Sequence, residues 1–72
     1  MILEFFKRVT STMFEKNARM AISPLHVRDG TLTVATLSPA LAQELKLRER
    51  EIIDGINAKL GRIAVSGLRF LS

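Results

Sequence analysis

A chain of 72 residues, 47% apolar and 25% charged, is enough for one small domain and too rich in core formers for a disordered segment. Without cysteine it has neither a disulfide framework nor a thiolate zinc site, so stability rests on the core, with a partner or a second copy as support. The net charge of +4 favours anionic partners. No apolar run approaches the ~18 residues of a membrane span, and Glu4 inside the first apolar patch, with basic residues after it, does not suit a signal peptide. A cytoplasmic, non-membrane domain spanning 1–72 is the expectation.

Residues 1–21 read as an N-terminal helix: Ile2, Phe5, Phe6, Val9 and Met13 recur at helical spacing, with Lys7, Arg8, Glu15 and Lys16 between them. Thr10-Ser11-Thr12 is its weak point, because hydroxyl side chains compete with the helical backbone. Ser23-Pro24 closes the segment, since the residue before proline is pushed out of the α region.

Residues 24–37 carry the strongest local signal. Asp29-Gly30 between two alternating runs predicts a two-residue hairpin turn, which requires positive φ at both positions. That loop sets Arg28 opposite Thr31, Val27 opposite Leu32, His26 opposite Thr33 and Leu25 opposite Val34. Leu25, Val27, Leu32 and Val34 then share the buried face. His26, Arg28, Thr31, Thr33 and Ala35, joined by Arg69 of a later strand, share the other.

Residues 38–60 read as a helical pair. Ser38 suits the N-cap and Pro39 the first helical position. One continuous helix would put Arg48 and Glu49 on the apolar arc of Leu41, Leu45, Ile52 and Ile56, so a break is expected between 46 and 49. Gly61 can end the second helix in the left-handed conformation. The final strand is expected over 64–71, with the alternation changing parity at Gly67, which suggests a bulge or a late strand start. The order is α-β-β-α-α-β, an α+β domain with a three-stranded sheet and its helices on one face.

Leu25-His26-Val27-Arg28-Asp29-Gly30-Thr31-Leu32-Thr33-Val34, then Ser38-Pro39-Ala40-Leu41-Ala42-Gln43-Glu44-Leu45 and the terminal Leu68-Arg69-Phe70 resemble the DciA family over residues 18 to 72. The resemblance implies a type II K-homology-like fold and a non-enzymatic accessory role in bacterial DNA replication. It implies a DnaB-type replicative helicase as partner and weak DNA binding without base specificity. The family's tryptophan and Val-Gly pair before the hairpin have no counterpart here, and Leu47-Arg48-Glu49 stands where members often have proline. The flexible extension of many members is not within these residues. Competing readings are a standalone K-homology-like nucleic-acid binder and a self-association module dimerising through the N-terminal helix.

Nothing in the sequence assembles a nucleophile with a base, a metal cluster or a cofactor cradle. His26, the only histidine, is read as an exposed sheet residue, and Glu44, Glu49, Glu51 and Asp54 as surface ion-pair partners. A K-homology clamp uses a Gly-x-x-Gly loop between its helices; Lys46-Leu47-Arg48-Glu49 stands there instead. Phe5, Phe6, Phe14 and Phe70 fall in apolar patterns and are expected in the core rather than stacked on bases. The candidate nucleic-acid residues are therefore cations, Lys46, Arg48 and Arg50 near the interhelix corner with Lys59 and Arg62 at the end of the second helix. Such a set contacts phosphates without reading sequence.

Overall fold

The computed structural model describes residues 1–71. Two helices, α1 (Ile2–Ser11) and α2 (Lys16–Met20), lead into strands β1 (Ile22–Arg28) and β2 (Thr31–Thr36), helices α3 (Pro39–Leu47) and α4 (Glu49–Leu60), and strand β3 (Gly67–Leu71). The architecture is α+β in the expected α-β-β-α-α-β order, with the N-terminal helix in two pieces.

The split of residues 1–21 corrects the single helix read from periodicity. Three consecutive hydroxyls turn back onto the last turn of α1: Thr10 donates to the Phe6 carbonyl at 2.9 Å, Ser11 to Arg8 at 2.6 Å and Thr12 to Val9 at 2.8 Å. These bonds compete with helical continuation, and α1 stops there.

The hairpin turns where its chemistry requires. Asp29 and Gly30 have φ of 51° and 78°, the pair of left-handed residues that matches the twist of the strands. His26, Val27 and Arg28 pair with Thr33, Leu32 and Thr31 as expected. Beyond them the register shifts: Pro24, not Leu25, lies opposite Val34. Leu25 is the extra residue of a bulge and leaves the core face, with 44% of its surface exposed. The strand also begins at Ile22, ahead of the proline expected to open it.

Helix α3 is capped as anticipated, the Ser38 hydroxyl accepting from the Leu41 N–H at 3.3 Å with Pro39 in the first position. The break expected between 46 and 49 is a corner of one residue. Arg48 ends α3 by donating its N–H to the Leu45 carbonyl, and its own carbonyl starts α4 by accepting from Ile52 N–H. Gly61, at φ 76°, terminates α4 in the left-handed region.

β2 is the central strand, antiparallel to β1 and parallel to β3. The regular part of β3 starts at Gly67, not 64, because residues 64–66 are held by bonds to Asn57 and Gly30 instead of a ladder. The Asn57 carboxamide oxygen accepts from Ala64 and Val65 N–H, both at 3.0 Å, and its nitrogen donates to the Val65 carbonyl at 2.9 Å. The Gly30 carbonyl then accepts from Ser66 N–H at 2.7 Å and Gly67 N–H at 3.3 Å, tying the returning chain to the hairpin turn.

The helices cover the sheet face of Leu32 and Val34. Phe6 and Val9 of α1, Leu45 of α3, and Ile52, Ile53 and Ile56 of α4 close over it with Ile22 and Val65. Each such aliphatic side chain contributes about 1.5–3 kcal/mol by leaving water. Helix α1 approaches α4 at Gly55, where a Cβ would lie 3.1 Å from Val9 Cγ2; the absence of a side chain there sets the helix spacing.

Candidate nucleic-acid interface

The five cations selected by sequence do not form one patch. Lys46 and Arg50 flank the α3–α4 corner and line a shared concavity with Leu47, Glu49, Ile53 and Ser66. Lys59 and Arg62 lie at the other end of α4, about 14 Å away along the helix at 1.5 Å per residue. Arg48 sits at the corner but is engaged: its Nε is 3.8 Å from the Glu44 carboxylate, and its guanidinium lies 5.6 Å from the centre of the Phe14 ring. That contact pins the segment between α1 and α2 against the corner. Arg50 pairs with Asp54 at 3.4 Å, an exposed i,i+4 contact worth a few tenths of a kcal/mol, which leaves the guanidinium free to exchange partners.

Parallel pairing of β3 with β2 brings a different cation to Lys46. Residues Ala42, Gln43 and Lys46 of α3 form one wall of a groove, with Leu68, Arg69 and Phe70 of β3 as the other. Arg69 pairs with Thr33, which in turn pairs with His26. On that helix-free face, where Thr33 is buried between its neighbours rather than exposed as expected, Arg69 borders a further hollow with Arg28, Asp29, Thr31 and Thr33. Lys46 is common to the first two concavities and Arg69 to the last two, so Arg50, Lys46, Arg69 and Arg28 form a connected basic tract. The sequence placed Arg69 on the open face beside His26 and Arg28. What it did not show was the proximity of Arg69 to Lys46, which depends on which strand β3 joins.

Glu49 belongs to this site by structure rather than by surface charge. Its Oε2 accepts the Leu68 N–H at 2.9 Å, so it is not the ion-pair partner read from sequence. The bond fixes the β3 wall of the groove against the start of α4 and commits the one carboxylate lining the Lys46–Arg50 concavity. Two further acids adjoin the tract, Asp54 paired with Arg50 and Asp29 held in the turn beside Arg28.

The corner has no room for a phosphate-gripping loop, because α3 and α4 meet at a single residue. Stacking is also restricted: Phe6 is buried and Phe5, Phe14 and Phe70 are half-buried against the core. Among the described residues no group of three or more His, Asp or Glu is gathered as a metal site. Among those same residues no helix is long and apolar enough to cross a membrane. The groups the tract presents are cationic side chains.

The chain matches the family model described as Dna[CI] antecedent, DciA, over residues 15–70. It belongs to the DciA family. The match runs from the N-cap of α2 into β3 and includes the hairpin, the helical pair and the whole basic tract. Membership of DciA gives the chain a helicase-loader type of role in DNA replication. No curated protein matches the sequence closely enough to add to that assignment.

Proposed function

We propose that this DciA-family chain is an accessory module of replication that binds the replicative helicase and holds DNA weakly, by phosphate contacts, along Arg50, Lys46, Arg69 and Arg28. The observation that carries the DNA reading is the connected tract itself, two grooves and a sheet face linked through Lys46 and Arg69. Family membership supports the helicase reading. Backbone contact without base readout follows from the missing glycine loop and the covered aromatic rings.

Fluorescence anisotropy with a labelled single strand tests the DNA reading. Affinity falls as salt rises, with a log–log slope of roughly −0.7 per phosphate neutralised. The double variant Lys46→Glu, Arg69→Glu loses that binding, whereas Lys59→Glu with Arg62→Glu has a smaller effect. Equal losses from the two pairs would remove the tract from the argument. Calorimetry with the cognate helicase tests the other half: no heat at tens of micromolar leaves a standalone nucleic-acid binder.

A further inference from the structure

A separate concavity, of about 300 Å³, lies between α1, α2 and β1 and shares no residue with the basic tract. Phe6, Ile22, Pro24 and Met20 give it apolar walls, while Lys7, Lys16 and Arg19 place three cations around them. None of these cations has a salt-bridge partner among the described residues, and no carboxylate lines the cleft. Arg19 adds a sharper signal: its Nε is buried without any hydrogen-bond partner, although a buried guanidinium N–H ordinarily has an acceptor. Met20 is 73% exposed beside it, a flexible apolar side chain able to fold over an incoming group.

We propose that this cleft docks an acidic, apolar peptide segment of a partner protein, one bulky side chain packing on Met20 and Pro24 above the buried Phe6 and Ile22 while flanking carboxylates meet Lys7, Lys16 and Arg19. The volume is at the lower end of ligand pockets and suits one or two large side chains. Charge complementarity selects an anionic occupant, and the apolar walls give a bare inorganic anion nothing to bury. Nucleic acid is the poorer match, because the only aromatic residue in the cleft, Phe6, is 1% exposed and offers no ring face for a base. The inference stands on these residues alone and does not depend on DNA or helicase binding.

The test is a nuclear magnetic resonance titration of the isotopically labelled chain with a short capped peptide alternating glutamate and leucine. Amide shifts should centre on Lys7, Thr10, Arg19, Met20 and Ile22 and saturate below millimolar peptide. Matched peptides with glutamine for glutamate, or serine for leucine, bind at least about tenfold more weakly. Arg19→Glu weakens binding by a similar factor. Lys7→Glu, at an exposed position on α1, does the same and separates loss of charge from loss of fold. No cleft shifts at millimolar peptide, equal binding of the glutamine peptide, or an oligothymidylate that moves these residues in preference to the peptide would each overturn the proposal.

Discussion

The turn at Asp29-Gly30 and the return at 61–66 meet at one carbonyl, yet they are built by opposite means. The turn is made of its own two residues, both at positive φ, and would reverse the chain in many contexts. The return has no repeating backbone pattern. Its shape is imposed from outside by the Asn57 carboxamide, which makes three bonds to Ala64 and Val65, and by the Gly30 carbonyl, which accepts Ser66 and Gly67. A local device can be written in adjacent residues, whereas a distributed one is written in a single polar side chain whose partners lie seven or eight positions away.

Removing the distributed device has the largest expected effect. Asn57→Ala leaves partly buried groups of Ala64 and Val65 without partners, a loss of about 3 kcal/mol for three such bonds. Urea unfolding measures it, and hydrogen exchange at Ala64 and Val65 should accelerate with little change at Val27. A loss well under that at Gly30 would mean that burial of Val65, not the carboxamide, shapes the return. Gly30→Ala comes next, at about 2 kcal/mol. An L side chain in the left-handed region costs about 1–2 kcal/mol, and the new Cβ would also stand 2.9 Å from Ser66 Oγ, coupling the turn to the return. The same variant beside Ser66→Gly should recover the part due to crowding.

Glu49→Ala is expected to cost about 1 kcal/mol, the scale of one partly exposed hydrogen bond, and to loosen β3 without unfolding the hairpin. Leu25→Thr is the smallest and the most diagnostic. With Leu25 out on a bulge the change stays within about 0.5 kcal/mol, as for an ordinary surface site. With Leu25 facing Val34 in the core it would cost several times as much. A large loss at this position would restore the regular register.

What could be read in advance follows the same division. The hairpin turn, the Ser38-Pro39 cap and the stop at Gly61 are set by the conformational limits of one or two residues, and the corner near Arg48 by a shift in the apolar arc; each is visible in the chain. The bulge at Leu25 was not, because alternation alone cannot tell a regular strand from one with an inserted residue. The late start of β3 was visible only as one reading of the parity change at Gly67, and its cause was hidden, since the asparagine that detains residues 64 and 65 looks like any polar residue of a helix end. The N-terminal helix is the intermediate case: its weak point was visible in Thr10-Ser11-Thr12, but only the three back-bonds turn weakness into an end. For the candidate interface, cation content and the corner were legible. Which cations adjoin one another was not, because sequence does not say that β3 lies beside β2 and carries Arg69 to Lys46.

The bulge and the Glu49 bond also govern how this sheet terminates. A three-stranded sheet ends in two unpaired ladders, each a template for strand addition by a foreign chain. On β1 the template is spoiled by an inserted residue and by a proline that has no proton to donate. On β3 a carboxylate already occupies one main-chain site and sets a negative charge against any approaching carbonyl. Lateral growth, the ordinary aggregation route of a small sheet, is disfavoured on both flanks.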